Sequence, residues 1–137
     1  MKKWIMIIAV LCTISQTAFA KGEDGVQFMT GSWKKVLKKA KKENKPIFVD
    51  VYADWCGPCK MMDKEVFSLE EMGDFLNENF ICYKLDADDT EHEWRLLEFE
   101  VESLPTFVFV DSEGNFIKNY KGTTTASRLK NMAQAVL

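Results

Sequence analysis

Residues 48–60 have the sequence FVDVYADWCGPCK, in which a strand-like apolar run leads directly to two cysteines. Apolar residues dominate positions 47–52, as in a buried strand, and Asp50 interrupts them. Cys56 and Cys59 are separated by two residues, so they can close a small disulfide ring. The stretch therefore predicts a strand-to-helix junction with a cysteine pair where the helix begins.

The chemistry of such a pair follows from its position on the helix. Cys56 would lie at the N-terminus, where unpaired backbone N–H groups and the helix dipole stabilise the thiolate that attacks disulfides. Cys59 would lie one turn further in and could resolve the mixed disulfide. Pro58 suits the first helical turn, and Gly57 leaves room for an approaching disulfide. For a CxxC pair taken alone, a structural disulfide, half of a zinc site and a chance pairing remain alternatives.

The composition sets limits on the other classes of function. The chain has 137 residues, enough for one globular domain and too few for two. A formal net charge of −3 gives no case for binding nucleic acid. His92 is the only histidine, which leaves a zinc site poorly supported, and we expect neither a metal nor a cofactor. We expect His92 to be an exposed helix residue, and Cys82 to be a small buried hydrophobe rather than a regulatory thiol.

The first twenty residues have the three-part pattern of a secretory signal. Lys2 and Lys3 supply positive charge, residues 4–14 are apolar, and residues 18–20 (AFA) form a small-residue cleavage site. The apolar run is shorter than the about 20 residues of a spanning helix. We therefore expect cleavage after Ala20 and a periplasmic or secreted protein. A membrane anchor formed by the uncleaved signal and a buried core helix are the alternatives.

The rest of the chain is expected to contain a short leader and one folded domain. Residues 21–31 are polar and contain glycine, which predicts a flexible leader. Over 32–137, hydrophobic periodicity predicts elements in the order α-β-α-α-β-α-β-β-α, a mixed sheet covered by helices. Capping boxes at 68–71 and 90–93 predict two of the helix starts. The strands are predicted at 47–52, 80–85, 106–110 and 116–120, and the helices from 32 to Pro46, at 59–67, from 68 to about 79, from 90, and at 125–137.

Three segments carry a family resemblance. Residues 48–60, the SLPT sequence at 103–106 and the Lys-Gly pair at 121–122 resemble the active-site segment, the cis-proline loop and a late glycine of thioredoxins. The resemblance extends from about Ser32 to the C-terminus. The YADWC sequence and residues 64–68 are similar to the periplasmic C-terminal domain of transmembrane reductases of the DsbD type. This resemblance implies an α/β thioredoxin fold, a central mixed β-sheet flanked by helices, with an additional N-terminal helix.

The resemblance also implies roles for individual side chains in the redox cycle. Cys56 would be the nucleophile and Cys59 the resolving cysteine of a redox disulfide. Asp50 would lie beneath Cys59 as a proton acceptor, with its pKa raised by burial, and Lys84 would pair with it. The alternatives are a surface position at the strand edge for Asp50 and an exposed strand lysine for Lys84.

Substrate binding is implied for a second set of residues. Pro105 would hold a cis peptide bond facing the disulfide, which exposes the Leu104 backbone to an extended substrate chain. An ordinary trans proline is the alternative for Pro105, and simple core packing is the alternative for Trp55. The substrate-binding residues implied by the resemblance are Trp55, Gly57, Pro58, Leu104, Pro105 and Gly122.

The direction of electron flow is predicted from the dipeptide between the cysteines. Gly57-Pro58 lacks the histidine that oxidases and isomerases commonly carry there, which favours reduction of substrates. We expect a monomer that reduces protein disulfides and receives electrons from a membrane-embedded donor of the DsbD type. A disulfide oxidase or isomerase, and a thioredoxin-fold binding or chaperone module with an idle dithiol, are the alternatives.

Overall fold

The computed structural model describes residues 24–137, so the predicted signal segment and its cleavage site lie outside the described residues. A π-helical turn at Asp63–Phe67 extends the second helix, and a 3-10 turn at Thr90–His92 precedes the fourth. None of the described helices is long and apolar enough to cross a membrane. The strands are β1 (Phe28–Met29), β2 (Ile47–Tyr52), β3 (Ile81–Asp86), β4 (Thr106–Val110) and β5 (Phe116–Lys121), and the helices are α1 (Trp33–Glu43), α2 (Gly57–Met62), α3 (Glu70–Asn79), α4 (Glu93–Glu98) and α5 (Ala126–Gln134).

The strands form one mixed sheet in the order β1-β3-β2-β4-β5. The central strand β2 pairs in parallel with β3 and antiparallel with β4. This register places Asp50 of β2 between Lys84 of β3 and Phe107 of β4. Because β2 and β3 are parallel, they end at the same edge of the sheet, with Tyr52 opposite Asp86. The cysteine pair follows β2 at that edge.

Helices cover both faces of the sheet, and the alternation along β2 decides which side chain faces which helix. Val49 and Val51 belong to the core cluster that α1 covers. Phe48 belongs to the opposite cluster, together with Met62 of α2. Asp50 alternates with Val49 and Val51, and therefore lies on the face that α2 covers.

The predicted order of elements is confirmed from α1 to the C-terminus, and the strand bounds agree to within one residue. The segment predicted as a leader, 21–31, contains a strand in its described part. Phe28 pairs with Cys82 as β1 runs parallel to β3. Gly25, at φ 93°, approaches Gly73 of α3 so closely that a Cβ on Gly73 would lie 2.2 Å from its carbonyl oxygen. A two-residue strand has no periodicity, so the sequence pattern could not reveal it.

Neither predicted capping box forms. The residue before α3 is Leu69, which makes no side-chain cap, because the Ser68 hydroxyl donates instead to a carbonyl of the preceding turn. The turn before α4 is capped by Asp89, whose carboxylate accepts the Glu91 N–H at 3.0 Å, rather than by Thr90. Each helix still starts within three residues of the predicted position.

Candidate redox site

Cys56 and Cys59 form a disulfide at the N-terminus of α2, with their Cα atoms 5.3 Å apart. Cys56 precedes the first helical residue, and its Sγ accepts a hydrogen bond from the Cys59 N–H at 3.2 Å. Pro58 lies in the first turn, where its missing N–H leaves no intrahelical bond unmade. When the disulfide opens, the N-terminus of α2 therefore stabilises negative charge on Cys56 Sγ.

Asp50 is buried in the sheet, with 1% of its surface exposed. Lys84 Nζ lies 2.6 Å from its Oδ2, and its Oδ1 has no hydrogen-bond partner among the described residues. Burial raises the pKa of Asp50 to about 6, although the charge of Lys84 acts in the opposite direction. The structure thus contradicts a surface position, and it gives the carboxyl a pKa suited to proton transfer near neutral pH.

Lys84 is held between two carboxylates, because its ammonium group forms ion pairs with both Asp50 and Asp63. It also lies 4.8 Å from the ring centroid of Tyr52 and 5.2 Å from that of Phe28. Burial disfavours its charge, but the two carboxylates keep the pKa of Lys84 above its ordinary value. The alternative that Lys84 is an exposed strand lysine is therefore excluded. Sequence reasoning missed Asp63, although its position one helical turn after Cys59 could have indicated it.

The loop before β4 completes the wall of the site. The Leu104–Pro105 peptide bond is cis, and Leu104 packs against the cluster formed by Ala53, Cys56 and Cys59. The Pro105 carbonyl accepts the Gly122 N–H at 2.8 Å, with Gly122 at φ 86°, a conformation that favours glycine. These contacts bring the three segments that carry the family resemblance together around one disulfide.

Trp55 is 70% exposed, which contradicts core packing. Its indole Nε1 donates a hydrogen bond to Asp88 Oδ2 at 2.8 Å, so the ring is fixed beside the disulfide rather than loose. Gly57 and Pro58 are exposed next to it. Asp88 is a second residue that sequence reasoning missed, because the loop that carries it approaches Trp55 only in the folded chain.

Two residues outside the site were also predicted from sequence. Cys82 is buried as expected, and burial raises the pKa of its thiol to about 12. The exposed position predicted for His92 is wrong, because only 12% of its side chain is accessible. Its Nε2 lies 3.2 Å from the Tyr83 hydroxyl, and its Nδ1 lies 3.3 Å from the Asp86 carbonyl oxygen. Within residues 24–137, no group of three or more His, Cys, Asp or Glu side chains is placed to hold a metal ion.

Residues 33–137 match the family model of a thioredoxin-like domain. The chain belongs to the thioredoxin-like family. Among curated relatives, the thiol:disulfide interchange protein DsbD of Yersinia pestis is 39% identical over 79 residues, which are 57% of this chain and 13% of DsbD. Thioredoxin-T of Drosophila melanogaster is 34% identical over 90 residues, 66% of this chain and 54% of that protein. The mouse spermatogenesis-associated protein 20 is 55% identical over 51 residues, 37% of this chain. The chain covers only 6% of that protein, so these first relatives are mostly much longer.

Solved structures agree with the family assignment. The solution structure of a candidate disulphide-isomerase from Bacteroides thetaiotaomicron has a TM-score of 0.74 and 32% identity, covering 81% of this chain and 92% of its own. The oxidised C-terminal domain of Neisseria meningitidis DsbD has a TM-score of 0.66 and 25% identity, covering 80% and 97%. The predicted thioredoxin fold is therefore confirmed. With its Cys56–Cys59 disulfide, this thioredoxin-like chain is a thiol–disulfide oxidoreductase.

Proposed function

We propose that this oxidoreductase reduces protein disulfides in an exported location. The observation that carries the direction is the charge around the disulfide. Strong oxidants of this fold stabilise the reduced thiolate, which raises their potential. Here Asp50, Asp54 and Asp88 lie on segments that adjoin the disulfide, and Lys84 is neutralised by two carboxylates. Apart from the N-terminus of α2 and Lys60 on that helix, the described charges on these segments are acidic or paired, which disfavours extra negative charge on Cys56. We therefore expect the dithiol to give up its electrons readily.

The reduction proceeds in two exchanges. In the reduced protein, the Cys56 thiolate attacks one sulfur of the substrate disulfide, and the other substrate sulfur leaves as a thiolate and takes up a proton. Asp50 then accepts the proton of the Cys59 thiol. The Cys59 thiolate attacks Cys56 Sγ and expels the second substrate sulfur as a thiolate, to which the proton held by Asp50 passes. Two electrons pass to the substrate, and the chain is left as the disulfide described above.

The proposed location and electron source depend on the N-terminal residues. If residues 1–20 act as a signal, the dithiol works where thiols are normally oxidised, in the periplasm or outside the cell. Retention of the signal as an anchor is the alternative. Such a dithiol needs a reductant, and the 39% identity to DsbD supports a membrane-embedded donor of that type. We propose that the chain acts on protein disulfides as a monomer.

The redox potential of the purified chain tests the direction. We expect equilibration with dithiothreitol or glutathione buffers to give a value near the about −270 mV of thioredoxin. The reduced protein should also reduce insulin. A potential near the about −120 mV of a periplasmic oxidase would reverse the proposed direction. An isomerase, favoured by the similarity to the Bacteroides protein, would instead reactivate scrambled ribonuclease at substoichiometric dithiol.

A further inference from the structure

The connection between β3 and β4 contacts the redox site at both of its ends. Near its start, Asp88 holds the Trp55 indole at 2.8 Å. At its end, Leu104 packs against the cluster of Ala53, Cys56 and Cys59. A partner that binds this connection therefore binds a segment whose two ends both contact the redox site.

Most of the connection, residues 86–102, forms an acidic segment. It carries eight carboxylates against one arginine and one histidine. Among its carboxylates, only Glu98 and Glu102 form salt bridges with a described lysine or arginine, Arg95 and Lys121 respectively. His92 Nδ1 lies 3.8 Å from Asp89 Oδ2. The remaining carboxylates have no cationic partner within salt-bridge distance in residues 24–137. These are Asp86, Asp88, Glu91, Glu93 and Glu100.

Two large apolar side chains are exposed within the acidic segment. Trp94 is 54% exposed and Leu97 is 79% exposed, and their spacing of three residues puts them on one side of α4. The Arg95 guanidinium lies 3.6 Å from the Trp94 ring centroid and 4.5 Å from that of Trp33. This stack holds one face of Trp94 in place and leaves the remainder in solvent. A fixed aromatic ring among carboxylates suits a cation, which can stack on the ring and pair with the acids.

The other helix on this face of the sheet has the opposite charge. Trp33 of α1 and Phe99, the residue that follows α4, belong to the same core cluster, so both helices lie on the same face of the sheet. The outward side of α1 is lined by lysines, of which Lys34, Lys35, Lys38 and Lys42 are exposed. A positively charged partner is therefore repelled at α1 and attracted at the acidic segment, which fixes the side from which it approaches.

We propose that the acidic segment docks a positively charged segment of the protein whose disulfide is exchanged at Cys56. The proposal rests on the proposed function and names the class of partner: a protein with lysine or arginine flanking its disulfide. Its basic side chains would pair with Glu91 and Glu93 and stack on Trp94, while an apolar neighbour would contact Leu97. Opposite charges raise the association rate, and added salt weakens this attraction.

The test uses two synthetic disulfide peptides that differ only in flanking residues, lysine in one and glutamate in the other. The full chain is reduced, freed of reductant and mixed with each peptide, and its oxidation is followed by stopped-flow tryptophan fluorescence. We expect the lysine peptide to react at least about tenfold faster at 20 mM salt, and the difference to shrink at 500 mM. Equal rates for the two peptides, or rates that salt does not change, would overturn the proposal.

Matched variants locate the effect on the surface. Glu91→Lys/Glu93→Lys should abolish the preference, and Trp94→Ala should reduce it. Asp74→Lys/Glu78→Lys makes the same change of net charge on α3, on the opposite side of the sheet, and should keep the preference. If both double variants lose the preference for the lysine peptide to the same extent, the preference arises from net charge alone and the proposal is overturned.

Two further readouts separate other outcomes. Hydroxyethyl disulfide, small and uncharged, should react equally with all these forms; if no form reacts with it, the proposed function itself fails. If sedimentation shows a dimer that Glu91→Lys/Glu93→Lys dissociates, a second copy of this chain covers the surface and the docking proposal is wrong.

Discussion

Cys56 and Cys82 are equally buried, each with 3% of its surface exposed, but their sulfurs have different surroundings. Cys56 Sγ lies at the start of α2 and accepts the Cys59 N–H. Cys82 lies within β3, in a core cluster that includes Phe48 and Phe80. Burial without such a donor raises the pKa of Cys82 to about 12, so almost no thiolate exists at neutral pH. The helix N-terminus and the N–H that faces the sulfur, and not burial, therefore distinguish a reactive cysteine from an inert one here.

The strongest test of this difference removes the reactive member. Cys56→Ser should lower disulfide reduction to the uncatalysed rate, because Cys82 has no thiolate to replace it and Cys59 lies deeper in the helix. Insulin reduction driven by dithiothreitol measures the loss, and far-UV circular dichroism checks the fold. Residual turnover above background would show that another cysteine attacks and that the distinction is wrong.

Asp50→Asn tests the carboxyl that is proposed to accept the proton of Cys59. We expect the resolving step to slow by about a hundredfold at pH 7, because the Cys59 proton loses its acceptor. In the unmodified chain, this step should also slow as the pH falls through about 6, where Asp50 becomes protonated. Single-turnover kinetics between pH 5 and 8 measure both effects. If the rate of the Asp50→Asn variant still falls as the pH drops through about 6, a group other than Asp50 accepts the proton.

The same substitution measures how much folding stability the buried Asp50 carboxylate costs the protein. The folded pKa of Asp50, about 6, lies above its ordinary value of 3.8, so folding favours the protonated form. The stability lost by ionising Asp50 therefore grows as the pH rises from about 4 to 6 and is complete at pH 7, at up to about 3 kcal/mol. Asp50→Asn should recover most of it at pH 7 and little at pH 4. Urea unfolding of the oxidised protein measures this; a variant less stable at pH 7 would contradict it.

The smallest effect is expected at the inert cysteine. Cys82→Ala should leave insulin reduction within a factor of about two, because the thiol takes no part in exchange. It should lower the free energy of unfolding by about 1 kcal/mol, through the small cavity left in the core. In the reduced native protein, a thiol reagent should modify Cys82 only after unfolding. Rapid modification in the native state would show that burial does not protect it.

The sequence predicted the features that local pattern determines. The cysteine pair, its helix and the strand before it are contiguous, so hydrophobic periodicity and spacing suffice to place them. Local pattern could not predict the ion pair of Asp50 with Lys84, because the pair depends on the register of β2 with β3. Only the family resemblance supplied that register.

The features that sequence reasoning missed depend on contacts between distant segments. Asp88 meets Trp55 across 33 positions of the chain, and Asp63 meets Lys84 across 21. The burial of His92 depends on a hydroxyl from β3, and β1 forms only because a neighbouring strand offers it backbone partners. No local pattern encodes such contacts, since each is created by packing.

The ends of the sheet limit how this protein can meet an extended chain. Edge strands are templates for strand addition, and proteins protect them with short length or with charged side chains. On one side, β1 has only two residues. On the other, β5 carries exposed lysines at Lys118 and Lys121. Within residues 24–137, neither edge therefore offers a long apolar ladder to another copy or to an unfolded substrate. We accordingly expect a substrate backbone to align with the disulfide at the loop of Leu104 and not at an edge strand.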